Sequence, residues 1–216
     1  MAEVDPEALA DVAYGIFEHL LTRGLREKGM YLYALVEGGT DFSADLSEIF
    51  ARFALEYPQL AEAMLQRFSG LDTIYAMLRE GEGVIPSKTT QMYWIVQDAP
   101  GSAPEATEDE KAGKWLIFQE PGVTDDAWKK IRDATVALNL GISAKVSTAK
   151  PNPDSRDNRK VIYVYTRDWA EEADVMRVRE VLRTLGFTDR IGYKRNIETF
   201  AGEYAKKGKR VTYYSA

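Results

Sequence analysis

Residues 160–166, KVIYVYT, constrain this chain more than any other stretch. Val161, Ile162, Tyr163, Val164 and Tyr165 are all β-branched or aromatic, a composition that packs on a pleated surface and disfavours a helix. A second strand is expected just upstream, over Ile142–Thr148. Between them lies a turn rich in Pro, Asn and Asp that also carries Lys150, Arg156, Arg159 and Lys160. The segment Gly141–Thr166 therefore reads as an antiparallel hairpin with a basic turn. A basic loop joining two strands can seat an anion, and a solvated turn explains the same charges at least as well.

The surroundings of the hairpin extend this grammar. Gln91–Gln97 alternates as a strand, a loop rich in Ala, Pro and acids follows, and Lys114–Gln119 reads as a second strand. Thr124 is expected to cap a helix whose buried stripe is Trp128, Ile131, Thr135 and Leu138. After the hairpin, a helix is expected from Asp168 to Gly186. Val175, Val178, Leu182 and Leu185 lie on its apolar side, and Arg177, Arg179 and Arg183 on a solvent side paired with acids. Phe187–Tyr193 reads as a short strand, Ile197–Tyr204 as a short helix, and Val211–Tyr214 as a last strand. The order is β, β, α, β, β, α, β, α, β. Hairpin-joined strands with helices between pairs imply an α+β fold, a mostly antiparallel sheet backed by helices. A doubly wound dinucleotide fold is not indicated, because no glycine-rich turn joins a strand to a helix.

The first 85 residues read differently. Asp5-Pro6-Glu7 is a cap with Pro at the first helical position, followed by Leu9, Val12, Ile16, Leu20 and Leu21 at helical spacing. Further helices are expected from Asp41 or Ser43 and from Pro58, with a short one capped by Asp72. Met30–Val36 fits either a strand or a buried helical turn. A helical N-terminal region over 1–85 followed by an α+β domain over 86–216 is the expected organisation.

Charge follows the same division. Residues 1–85 carry a net charge of −9, residues 86–140 a net of −3 and residues 141–216 a net of +6. Local charge sets the field at a site, so the last third suits an anionic ligand although the whole chain is at −6. Cysteine is absent, which excludes disulfides, thiolate metal sites and cysteine nucleophiles. The single histidine, His19, falls in a helical pattern as an ordinary helix residue, so a Ser-His-Asp triad and a multi-histidine metal site are excluded. The start MAEVDPEALADV has no basic n-region before an apolar run, and no stretch approaches the ~18 apolar residues of a membrane span. A cytoplasmic protein without membrane association, metal or cofactor is the expectation.

Several blocks carry a resemblance. KWLIF, then W..I.........G..AKVST, then DNRKVIYVYTRDWAEEADVMRVREVLRTLGF, then YK.....TFAGEY and KRVTYY are similar, in order and spacing, to the family of the human basophilic-leukaemia-expressed protein. The resemblance covers about residues 90–216. That family is assigned the fold of the mRNA cap-binding translation initiation factor, a curved antiparallel sheet backed by helices. QMYWIVQD, EDEKAGKWLIF, AWKKI and AKVSTAK...RKVIYVYT each resemble part of that fold. In the cap-binding factor two loop tryptophans sandwich the methylguanine and a neighbouring Glu reads its edge. Here the segment between Val96 and Lys114 holds no aromatic, and Trp94 and Trp115 fall within strands as core residues. The resemblance therefore implies the phosphate half of such a site without the base-stacking half. Lys150 and Lys160 fall near the basic positions of the family's hairpin, while Ser147 and Thr148 stand where an Arg would be.

Three functional readings follow. The first is a module for a phosphate-bearing small molecule, a nucleic acid end or a phosphoprotein. Lys145, Ser147, Thr148, Lys150, Arg156, Arg159, Lys160 and Lys194 would supply the contacts, and Tyr93, Tyr163, Tyr165 and Tyr193 a stacking surface. The second, implied by the label putative phosphothreonine lyase given to some proteins with this domain, is an enzyme with Lys145 or Lys150 as a desolvated base. The third is an interaction scaffold that docks a protein partner through the N-terminal helices.

Overall fold

A computed structural model of the chain describes residues 5–102, 104–153, 157–200 and 212–216. These fall into two compact units: residues 1–93 with 148–151, and residues 94–147 with 152–216.

The first unit is helical. Helix α1, Pro6–Glu27, starts where the Asp5 carboxylate accepts the Glu7 N–H at 3.0 Å, with Pro6 in the first turn. Its buried stripe is Ala10, Ala13, Phe17, Leu21 and Leu25, spaced at three and four residues, with Tyr14 beside it. The segment 30–36 resolves as a helix, α2, Leu32–Glu37, which buries Leu32 and Leu35. Helices α3 (Ser43–Glu56), α4 (Pro58–Phe68) and α5 (Leu71–Glu80) complete the unit. Phe17 packs on Phe50 and Phe53 at ring separations of 5.4 and 5.5 Å.

The second unit is the expected α+β fold, a sheet backed by helices. Strands β1 (Trp94–Asp98), β2 (Gly113–Gln119), β3 (Ser143–Ser147), β4 (Lys160–Thr166), β5 (Gly192–Arg195) and β6 (Tyr214–Ser215) form one sheet in the order β1-β3-β4-β2-β5-β6. Every pairing is antiparallel. Helix α6, Pro121–Val136, begins before the expected cap at Thr124. Pro121 takes the first turn, and the buried Thr124 hydroxyl donates to Glu120 O at 2.9 Å. Helix α7, Glu172–Thr184, starts four residues later than expected, because the Asp168 side chain accepts the Ala170 N–H and holds a turn there. A short helix, α8, spans Asn196–Phe200. The basic run 206–210 lies outside the described residues.

Period-two alternation sorts the strand residues between two faces. Ile95, Ala144, Val146, Ile162, Val164, Trp115, Ile117 and Tyr193 join Trp128, Ile131, Val175, Val178 and Leu182 of α6 and α7 in one buried core. Gly113 is required there, since a Cβ would meet the Tyr193 hydroxyl at 2.2 Å. Arg179, expected on the solvent side of α7, is fully buried. Its guanidinium donates to main-chain oxygens of Ala216 (3.0 Å), Phe187 (2.7 Å), Asp189 (2.7 Å) and Thr188 (3.5 Å). Arg177 and Arg183 do pair with Asp174 and Glu180 as the spacing suggests.

Candidate functional site

The opposite face of the sheet is the candidate site. Alternation places Trp94 (β1), Lys145 (β3), Tyr163 and Tyr165 (β4), Lys114 (β2) and Lys194 (β5) on it. The register sets these residues side by side: Lys145 opposite Tyr163, Tyr165 opposite Lys114, and Lys114 opposite Lys194. Trp94 is therefore a residue of this face and not of the core. Its ring stacks on Tyr163 at 5.2 Å with planes 28° apart, and Tyr163 meets Tyr165 edge-on at 6.4 Å.

The lysine amines lie over these rings. Lys145 Nζ is 4.5 Å from the Trp94 centroid, 5.5 Å from Tyr163 and 5.8 Å from Tyr165. Lys114 Nζ is 5.6 Å from Tyr163 and 5.3 Å from Tyr165. Two ammoniums thus share the same pair of tyrosines, where ring quadrupoles favour a cation. Lys114 Nζ also donates to Asn196 Oδ1 at 2.9 Å. The Asn196 Nδ2 group donates to Thr107 O and Asp109 O, so its carbonyl end is the one turned to the amine.

Burial and like charge strain this group of cations. Lys114 is 7% exposed, and its amine is pushed down to about 8, first by burial and then by the ammoniums of Lys145 and Lys194. Burial also lowers Lys145, against which Glu108 acts in the opposite sense. The Tyr165 phenol is pushed up by burial. A cleft of about 350 Å³ also lies in this unit, lined by Ile117, Phe118, Val123, Phe187 and Ile191 with Asp126, Lys130 and Asp189, and it includes none of these lysines.

Seven of the eight residues singled out in the sequence are described, and they divide between the two units. Lys145 and Lys194 lie on the aromatic face. Ser147 accepts the Val161 N–H at 2.9 Å across the hairpin. Thr148 and Lys150 belong to the helical unit. There the Thr148 hydroxyl donates to Met92 O, and Lys150 Nζ reaches Asp11 (3.2 Å) and Gln91 O (2.9 Å) and lies 4.7 Å from the Tyr93 ring. Arg159 pairs with Asp157 at 2.8 Å and covers the Phe118 ring at 5.2 Å. Lys160 opens β4 opposite Gln119. Arg156 lies outside the described residues. Of the tyrosines named as a stacking surface, Tyr163 and Tyr165 share the open face, Tyr193 is in the core, and Tyr93 is in the helical unit.

Two members of the face escaped the sequence reading. Lys114 is one residue from Trp115 and therefore points away from the core, and Trp94 has the same relation to Ile95. Strand parity was the available signal for both. Among the described residues, no group of three or more His, Asp or Glu is placed to hold a metal ion, and no helix is long and apolar enough to cross a membrane.

Residues 105–200 match the family model described as basophilic leukemia-expressed protein Bles03. Solved structures similar to the chain include an eIF4E-3 of C. elegans in complex with the 4E-binding protein Mextli and a cap analog. It is 20% identical with a TM-score of 0.38, over 47% of this chain and 61% of that one. A schistosome eIF4E complexed with m7GpppA and 4E-BP is 15% identical with a TM-score of 0.40, over 51% of this chain and 63% of that one. An Ascaris suum eIF4E-3 with an m2,2,7G cap is 20% identical with a TM-score of 0.38, over 54% and 64%. The chain spans less than two thirds of the length of each of these relatives.

Proposed function

We propose that the second unit binds a phosphate-bearing ligand, such as a nucleotide or a nucleic acid end, on the open face of its sheet. Lys114, Lys145 and Lys194 are the anion contacts, and Trp94, Tyr163 and Tyr165 form the apolar wall beside them. The observation that carries this reading is the register that sets Lys145 opposite Tyr163, Tyr165 opposite Lys114 and Lys114 opposite Lys194, which brings three amines from three strands to one face. A phosphate beside these amines would accept charge-assisted hydrogen bonds from them. Lys150 falls in the helical unit, where its amine is engaged with Asp11 and Gln91. Arg159 and Lys160 stand further along the same hairpin and belong to the periphery of the proposal.

The test is fluorescence anisotropy with a labelled nucleoside triphosphate, at about 50 mM and about 200 mM salt so that the electrostatic share is visible. Replacing Lys145 and Lys194 together by Ala is expected to weaken binding roughly tenfold or more and to flatten the salt dependence. Equal affinity in the wild-type and doubly substituted proteins would refute the reading.

A further inference from the structure

We propose that the ligand of the open face is a single-stranded nucleic acid of at least two nucleotides, which runs along β2 and β4 and stacks its second base at Phe118. The inference rests on the phosphate-binding reading above and deepens it, and residues outside the lysine cluster carry it. Phe118 shares the parity of Lys114 and Leu116 in β2, so its ring stands on the open face, and it is 51% exposed although large and apolar. The register sets Leu116 opposite Tyr163 and Phe118 opposite Val161. Phe118 therefore lies one pleat beyond the Trp94–Tyr163 stack, about 7 Å along the strands. One step of an extended sugar-phosphate chain spans such a gap. Leu116 and Val161, both half-buried, fill the interval with uncharged surface against which a sugar can rest.

Arg159 decides between a nucleic acid and other phosphate ligands. Its guanidinium lies 5.2 Å from the centroid of the Phe118 ring, at the far end of the strip from Lys114 and Lys194. A cation there is out of place beside an acyl or prenyl tail, and a mononucleotide held at the lysines leaves it unused. It suits a second phosphate, and its planar group extends the surface on which a base stacks. Arg159 pairs with Asp157 at 2.8 Å on an exposed part of the chain, where solvent screens the attraction and a phosphate can replace the carboxylate. Stacking on two separate rings requires bases freed from a duplex, so the strand is single.

The experiment is fluorescence anisotropy on the full chain, with a labelled single-stranded tetranucleotide bearing a 5′ phosphate compared against the labelled nucleoside triphosphate. The tetranucleotide should bind roughly tenfold tighter, because it stacks a second base. Phe118→Ala should remove that preference and Phe118→Trp should keep it. Arg159→Ala should lower the slope of log affinity against log salt for the tetranucleotide by about one. Leu138→Ala, an exposed apolar residue just past α6, should leave both affinities as in wild type. The Phe118 ring is exposed, so its loss should leave the thermal midpoint close to that of wild type, which separates a binding defect from a folding one. Equal affinity for the two probes, a preference that survives Phe118→Ala, or equal binding of a hairpin duplex with the same 5′ phosphate overturns the proposal. If the preference is absent while triphosphate binding still depends on Lys145 and Lys194, the nucleic-acid extension falls alone. If that dependence is also missing, the phosphate reading falls with it.

Discussion

Arg179 and Lys114 are two buried cations on opposite sides of one sheet, and their surroundings differ in kind. Arg179 lies on the core side, where four main-chain oxygens accept from its fork. Lys114 lies on the open side, where its amine donates to the Asn196 amide oxygen and two further ammoniums lie nearby. A planar fork facing oxygens is a structural device that ties the 187–189 turn and Ala216 to α7. The difference separates a cation that holds the fold from one that the proposed function assigns to a ligand, although both are nearly inaccessible.

The largest effect tests the first half of that contrast. Arg179→Met should destabilise the protein by about 3–5 kcal/mol in urea unfolding, because oxygens that the fork satisfied are left buried without donors. A loss no larger than that of an exposed arginine would mean that water reaches those oxygens, and the contrast would fail.

The helical unit holds the acidic counterpart of the lysine cluster. Glu82 is 3% exposed, and its carboxylate accepts from the Thr90 and Gln91 N–H groups. Glu18 has the Thr22 hydroxyl as a donor, and burial, with the Glu82 charge adding to it, lifts its carboxyl to about 7. The buried Tyr14 hydroxyl has no hydrogen-bond partner among the described residues, and both acids raise it further after burial. A carboxyl raised in the folded state binds its proton more tightly there than in the unfolded chain. Its contribution is fully present below about 4.5 and is lost as pH rises through about 7. The stability of wild type relative to Glu18→Gln should therefore fall by roughly 1–3 kcal/mol across that window, the lower figure applying to the extent that solvent reaches this half-buried side chain. Denaturation midpoints of the two proteins at a series of pH values give the difference directly. Parallel curves would show that Glu18 titrates as it does in solution.

These cases also show which features the sequence could disclose. Element order in the second unit follows from local composition, since Val161–Tyr165 can do little but form a strand and Val175, Val178 and Leu182 define a buried stripe. Arg179 was misread because charge was taken to mean solvent. Its position, four residues from Val175 and three from Leu182, already placed it on that stripe. The open face was harder to see. Lys114, Lys145 and Lys194 are far apart in sequence and meet only through the β3-β4-β2-β5 order, which pairing registers fix and composition does not. The hairpin turn drew notice for the opposite reason. Its charges are close in sequence, but Thr148–Pro151 packs with the helical unit, and Arg159 turns to Asp157.

The smallest effect is the sharpest test of the second half of the contrast. Burial and like charge depress the Lys114 amine from 10.5 to about 8. A base depressed in the folded state carries a penalty that is complete below about 8 and vanishes above about 10.5, where both states are neutral. Removing the charge should remove the penalty, while the lost bond to Asn196 and the buried carbonyl left behind offset part of the gain. Lys114→Met is therefore expected to be more stable than wild type at pH 7 by about 1–2 kcal/mol, with the gap closing by about pH 10.5, and to bind the labelled nucleotide more weakly. A structural lysine would behave in the opposite way, like Arg179: its loss would destabilise the protein at every pH. If Lys114→Met does so, Lys114 belongs with the residues that hold the fold, and the open face loses its claim to a ligand.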